Sequence, residues 1–510
     1  MGDVATVVGG GTPETRNPAY FGGDISWLTP ADLSGYTAKR VSGGARNLTQ
    51  AGLENSGAQT MPAGSVFFSS RAPIGYVAIA AKPICTNQGF KSFILEEGIL
   101  SDFIYYWLQY AKPLAIELAS GTTFLEISGK KAGQIPVPIA PSAEQSRIAD
   151  ALDELFSDLN AGVAALERVR EKLKLYRGSV LKAAMEGALT AEWRAQHPHT
   201  EPTTELLERI LAERRRRWEE DQLAKFKTKG QEPPQNWKAK YKEPVAPDTT
   251  SLRPLPEEWA WATVGQLGRV TSGQTPPGMP NVSDADGSVS WFRVGDTNAP
   301  GNETYMEGGG LLMSPERAAR LGVKTLPAGS IIFPKRGGAI ATNKKRRLRF
   351  AAACDLNLMA VVPEVAVAEY LWLFFQGLDL GKLSDGSNVP QINNPDIVPL
   401  LVALPPTAEQ EAVVEAVEDQ LSVIDHLGGD LDTKLKNAQS LRQAILRHAF
   451  TGQLVPQDPN DEPASELLKR IAAEREARFR SATMAKRAAG KPRPRRRPRP
   501  QEPRKARREG

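Results

Sequence analysis

The sequence predicts an α+β protein in which two globular α/β domains alternate with two long amphipathic helices. Three observations carry that reading. One stretch occurs twice, at Pro141-Ser142-Ala143-Glu144-Gln145 and at Pro406-Thr407-Ala408-Glu409-Gln410, and each copy opens a long run of apolar residues at three- and four-residue steps. The same shift of 265 positions carries Met61-Pro62-Ala63-Gly64-Ser65 onto Leu326-Pro327-Ala328-Gly329-Ser330, Arg71 onto Arg336, Trp107 onto Trp372 and Ile127 onto Ile392. A period this long means duplicated domains rather than a solenoid. At 510 residues with 41% hydrophobic and 24% charged content, the chain has room for several cores of ordinary globular composition.

The elements follow in order. Residues 1–140 read as the first globular domain, with glycines, prolines and threonines punctuating short apolar runs such as Ser65–Phe68 and Tyr76–Ile79. A short aromatic helix is expected at Asp102–Leu108. The first long helix occupies 141–192, its seam led by Ile148, Leu152, Leu155, Leu159 and Val163. Ser142 with Gln145, and Thr407 with Gln410, have the spacing of a capping box. Residues 193–254 read as a helical extension, solvated around Arg214–Arg217, then a Pro/Lys-rich linker. The second domain covers 255–405, and the apolar window Tyr370–Phe375 is too short and too closely flanked by charge to span a membrane. The second long helix covers 406–456, with Val414, Val417, Leu421, Ile424 and Leu427 on its seam and a bend or frayed turn expected at Gly428-Gly429. A second helical extension covers 457–490, where Ser465–Ile471 echoes Thr204–Ile210. The Arg/Pro tail 491–510 has the composition of a disordered segment.

Charge and cysteine content exclude several classes. Ten Lys/Arg against two Glu in 491–510 exceed the whole-chain net charge of +5 and leave −3 on the remainder. A nucleic-acid surface on the folded part is therefore a local patch. Cys85 and Cys354 fall one per copy, and the four histidines are scattered, so neither a disulfide framework nor a metal site is suggested. That usage fits a reducing, cytoplasmic setting. Gly9-Gly10-Gly11 lacks the ending of a phosphate loop, and Asn17-Pro18-Ala19-Tyr20 lacks the glycine-rich donor site that a methyltransferase loop of similar appearance requires.

The order of motifs resembles the specificity subunit of type I restriction–modification systems. Gly11-Thr12-Pro13, Trp27 with Asp32-Leu33, Ser70-Arg71-Ala72-Pro73-Ile74-Gly75, Thr86-Asn87-Gln88-Gly89 and Ile135-Pro136-Val137-Pro138 carry the resemblance, with most counterparts in the second copy. It implies that 1–140 and 255–405 are target recognition domains, each reading half of a split DNA site. The long helices would pair as an antiparallel coiled coil and set the distance between the readers. It also implies a non-catalytic chain without cofactors of its own. Its partners would be double-stranded DNA, two modification (methyltransferase) subunits using S-adenosylmethionine, and two restriction subunits using ATP and Mg2+, with no membrane. The alternatives are the specificity region of another methyltransferase or nuclease, or a coiled-coil scaffold with no DNA role. Against the pattern, the first domain opens abruptly at Met1, so a first strand is expected to be missing or replaced, and Asp355-Leu356-Asn357 stands where the first copy has Thr86-Asn87-Gln88.

Candidate DNA-binding residues divide in two. Lys344, Lys345, Arg346 and Arg347 form a basic run suited to phosphates. Arg71 and Arg336 stand at matching loop positions, where a structural bond is equally expected, and Asn87 and Gln88 lie in a matching polar loop. Sequence specificity is sought where the copies diverge: Arg40 to Arg46 and Thr122-Thr123 in the first, Arg293 to Asn298 and Ser387-Asn388 in the second. Phe156 and Leu181 lie off the main helix stripes and are assigned to a surface for the modification subunits.

Overall fold

The computed structural model describes residues 1–71, 73–121, 125–198, 201–386 and 388–488, with side chains through residue 484. The described residues form two compact units, one from within 1–166 and 433–488, the other from within 167–432. Each long helix therefore belongs to both: Ser142–Met185 and Thr407–Phe450 each start in one unit and finish in the other.

In the first unit eight strands make two sheets: β1 (Ala5–Gly9), β2 (Phe21–Leu28), β3 (Arg40–Val41), β4 (Arg46–Leu48), β5 (Val66–Ser69), β6 (Val77–Ala80), β7 (Cys85–Thr86) and β8 (Phe90–Leu95). The larger has the order β1-β8-β5-β6-β3 and the smaller β4-β2-β7. Strand β5 shows why an uninterrupted apolar run becomes a strand here. Its side chains alternate, so Val66 and Phe68 join the core under the aromatic helix Ser101–Tyr110, while Phe67 faces Leu28 and Phe90 on the other side. The first long helix adds Ile148, Leu152 and Phe156 to the helix-side core, and the second adds Leu446 and Ala449.

The second unit repeats this plan with β9 (Ala260–Thr263), β10 (Gly268–Ser272), β11 (Val289–Phe292), β12 (Tyr305–Met306), β13 (Leu311–Met313), β14 (Ile331–Pro334), β15 (Arg346–Leu348), β16 (Ala353–Cys354), β17 (Leu358–Pro363) and β18 (Leu401–Leu404). The order β10-β17-β14-β15-β12 reproduces the first unit's larger sheet and β13-β11-β16 the smaller. The extra pair β9–β18 belongs to this unit alone among the described residues. Ile331 and Phe333 face the core built with Val180, Leu181, Val413 and Val417 of the long helices, whereas Ile332 faces Phe292. Within this unit Arg170 pairs with Asp432 and Arg177 with Asp425, so these helix segments run antiparallel.

Four expectations are corrected. The Ser/Thr-x-x-Gln starts do not form capping boxes. Ser142 instead donates to Gly98 O at 2.8 Å, and Gln145 bonds Leu100 N and Ala140 O, so the motif fastens the helix start to its own domain. Gln410 likewise donates to Pro405 O. The second long helix runs unbroken through Gly428-Gly429, because forty-four consecutive residues and a packed face outweigh two weak positions. The helix Thr203–Thr228 is not merely solvated, since Leu206 and Ile210 are buried in the second core. Finally, the linker folds back, and Trp237 stacks on Trp218 with ring centroids 5.8 Å apart.

Candidate nucleic-acid interface

Strand direction collects the polar loops of each unit at one end of the larger sheet. Where β1 and β5 finish and β6 and β8 begin, residues 10–12, 70–71 and 87–89 come together. In the second unit the ends of β10 and β14 and the starts of β15 and β17 bring together 273–275, 335–336, 343–345 and 355–357.

Matching hydrogen bonds show which positions correspond. The Asn87 side chain accepts from Gly89 N at 2.9 Å, and Asp355 accepts from Asn357 N at 3.1 Å. Asn87 therefore corresponds to Asp355, one place away from the sequence alignment that sets Asp355-Leu356-Asn357 against Thr86-Asn87-Gln88. Both are turn-forming residues whose side chains mimic a backbone turn. Burial pushes the Asp355 carboxyl above its ordinary range, while hydrogen bonds from Asn357 oppose that shift. The indole of Trp27 donates to Gly11 O, and that of Trp291 to Gln274 O, fixing the adjacent loop in each unit.

Arg71 and Arg336 each make a bond inside their own unit. Arg71 reaches Glu126 at 3.3 Å and Arg336 reaches Gln391 at 3.3 Å, each across an isolated bridge pairing the same two residues. Lys91 also reaches Glu126, at 3.4 Å, and Gln88 accepts from the Thr12 hydroxyl. Arg293 and Asn388 are exposed, Arg336 is exposed, and Lys344 bonds Asn298 at the rim of the same loop cluster. Arg46 is exposed, with its guanidinium 3.7 Å from the Phe21 ring centroid. These side chains can present donors to bases or phosphates. Thr122, Thr123 and Ser387 lie outside the described residues.

Other assignments fail on burial or on partners. The run Lys344–Arg347 is no solvated loop, because it enters β15. Lys345 is buried, bonds Asn343 and Leu378 O, and its ammonium is pushed down to about 8 by burial. Arg347 is buried against Glu369 in a two-pronged pair at 2.6 and 2.5 Å. Arg346 gives one donor to Lys345 O and one to Thr297 O, and its buried Nε is left without a partner among the described residues. Arg40 sits on β3 beside the far end of β6, paired with Asp102 at 2.7 Å and so outside the loop cluster. Phe156 and Leu181 are 3% and 4% exposed, each inside its own unit's core, so neither can carry a docking surface.

Two ion-pair systems escaped the sequence reading. Glu409, 1% exposed, accepts from Thr190 at 2.7 Å, from Arg194 at 2.7 Å and from the Trp259 indole at 2.8 Å. It locks the segment after the first long helix, the entry to the second domain and the second helix's first turn. Glu144, at the matching position, is buried without such a clamp among the described residues. Removing one partner of a buried pair typically costs about 3–5 kcal/mol. Glu409→Ala is accordingly expected to destabilise the 167–432 unit by about 3 kcal/mol, and Glu144→Ala its own unit by about 1 kcal/mol. Hydrogen exchange resolved by unit checks both, and equal losses would refute the clamp. In the other system Arg214 and Arg217 pair with Glu364, as Arg475 and Arg478 pair with Glu96. The signal was visible as Arg-x-x-Arg in both trailing helices, but its acid lies far away in sequence.

No group of His, Cys, Asp and Glu able to hold a metal ion occurs among the described residues, and no helix there is long and apolar enough to cross a membrane. Residues 1–168 match the family described as type I restriction modification DNA specificity domain. The MjaIX type I restriction enzyme specificity subunit of Methanocaldococcus jannaschii is 37% identical over 179 residues, covering 34% of this chain and 40% of that protein. The Escherichia coli EcoDI specificity subunit is 25% identical over 77% of this chain and 80% of its own length, and the EcoKI subunit of strain K12 is 25% identical over 75% and 73%. A chain from a solved structure on complex assembly and conformational transition of the type I R-M system superposes with a TM-score of 0.61 at 15% identity, covering 89% of this chain and 96% of that one, a likeness of fold.

Proposed function

We infer the function from one premise, that the chain belongs to the type I restriction–modification DNA specificity family: it reads DNA sequence for a modification and restriction complex. The observation that carries this is the pair of equivalent loop clusters, each at one end of a repeated sheet and each with a different set of exposed donors. In the first unit the exposed donors are Arg46 and Gln88; in the second they are Arg293, Arg336 and Asn388, with Lys344 half-buried beside Asn298. One small reader discriminates by roughly 1–3 kcal/mol per good base contact, too little to single out a site in a genome. Two linked readers add their free energies and meet the association entropy once. The two repeated domains are therefore target recognition domains for the halves of a split site, and the long helices are an antiparallel coiled-coil spacer.

Catalysis falls to partners. S-adenosylmethionine belongs to two modification subunits, and ATP with Mg2+ to two restriction subunits. Because Phe156 and Leu181 are interior, the docking surface lies on exposed apolar positions of the long helices, of which Leu175, Tyr176 and Val423 are the most open. Methylome sequencing of cells expressing the chain with its modification partner tests the reading. A bipartite methylated motif that disappears when the chain is deleted is expected. Methylation by the purified chain alone, or an unchanged methylome on deletion, would overturn it.

A further inference from the structure

The second unit holds a basic cleft of about 730 Å³ at the opposite end of β17 from the loop cluster. Six residues of strand separate the two ends by roughly 17 Å at ~3.3 Å per residue. Lys225 of the trailing helix, Lys240 and Lys242 of the folded-back linker and Arg269 of β10 line it, and none makes an ion pair among the described residues. Of the two acids in its wall, Glu364 is already taken by Arg214 and Arg217, which leaves Asp221 against four cations. The linker backbone that carries Lys240 and Lys242 is held in place. Trp218 packs against Trp237 and Tyr241, with centroids 5.8 and 5.2 Å away, and fixes the linker segment on the helix. Four like charges gathered around one cleft repel each other, and a bound anion relieves that repulsion.

The internal repeat supplies an independent observation. In the first unit the trailing helix Ala464–Ala488 is fastened by Arg475 and Arg478 to Glu96, as Arg214 and Arg217 fasten its counterpart to Glu364. The sequence that follows it, 491–510, carries ten Lys/Arg. Both copies therefore follow the trailing helix with a local basic run, Lys238 to Lys242 in one and 491–510 in the other, although the two share no sequence pattern.

We propose that this cleft is a sequence-independent binding site for the sugar–phosphate backbone of duplex DNA beyond the stretch that the loops read, an inference resting on the DNA-reading function above. Phosphate neutralisation releases counterions, so each contact contributes to the salt dependence of binding. The test compares the full-length chain with a Lys225→Glu/Lys240→Glu/Lys242→Glu variant on a long duplex lacking the methylated motif, across a potassium chloride series. The slope of log K against log salt is expected to fall by about 2 to 3, and low-salt affinity by about tenfold or more. The triple Lys→Arg variant should retain both. Quenching of the tryptophan emission around Trp218 by this duplex, and not by a mononucleotide or inorganic phosphate, is expected. An unchanged slope in a variant that melts like the parent would overturn the proposal, as would saturation of the quench by mononucleotide without competition from duplex. Failure of the parent chain to direct any methylated motif would instead remove the underlying DNA reading, so the two failures are separable.

Discussion

Leu181→Glu is expected to unfold the 167–432 unit while the chain's other unit keeps its protection from hydrogen exchange. Leu181 is 4% exposed in a core shared with Val180, Ala184, Leu371 and Phe375. Truncating a buried leucine alone costs about 2–5 kcal/mol. Glutamate adds the penalty of an unpaired carboxylate, and ordinary domain stability is only about 5–15 kcal/mol. Phe156→Glu should do the same to the first unit, where the ring packs against Tyr106 and lies under the Arg442 guanidinium. Leu175→Glu is the control. That side chain is 73% exposed, so its effect on stability should stay within about 0.5 kcal/mol. If Leu175→Glu nevertheless abolishes co-purification with a modification partner, the exposed stripe is the docking surface. A cooperative fold in Leu181→Glu would contradict the burial argument.

Lengthening both long helices by seven residues is expected to widen the unread gap of the DNA site without altering either half-site. Two turns add ~10.5 Å, and DNA rises ~3.4 Å per base pair, so the gap should grow by one to about three pairs. Seven residues nearly preserve a heptad seam. Val163 and Gly428 are equivalent by sequence shift, but equivalent positions do not face each other in an antiparallel pair. The contacts Arg170–Asp432, Arg177–Asp425 and Arg442–Asn160 set the register and place the insertions after Leu166 and before Lys436. Insertion in one helix alone should damage folding or assembly, because the partner strand of the pair is left unmatched. Methylome sequencing of the double insertion reads the gap directly. An unchanged gap in a stable, active complex would move the control of spacing to the partner subunits.

The sequence by itself determined the duplication, the α+β class, the starts of both long helices and the apolar runs that become central strands. Those features depend on local periodicity and on residues repeated at a constant shift. Val66-Phe67-Phe68 and Ile331-Ile332-Phe333 are strands because short apolar runs between turn residues have few other outcomes. Chain-local reasoning could not say where a polar side chain would find its partner. Ser142 and Gln145 have capping spacing but bond a loop more than forty residues earlier. Lys345 and Arg347 look like a solvated basic run, yet a strand's alternation turns both inward, where Leu378 O and Glu369 receive them. Leu181 and Phe156 leave the helix stripe on paper because the stripe was drawn for a two-helix seam. In the folded chain each helix is also covered by its own domain, which widens its buried face. Glu409 and the two Arg-x-x-Arg clamps are decided later still, by contacts spanning up to several hundred residues. Periodicity fixes which face of an element is apolar. Only the packed structure decides which charges that face meets, because electrostatic and hydrogen-bond energies depend on distances of a few ångströms that the chain sets only once it has closed on itself.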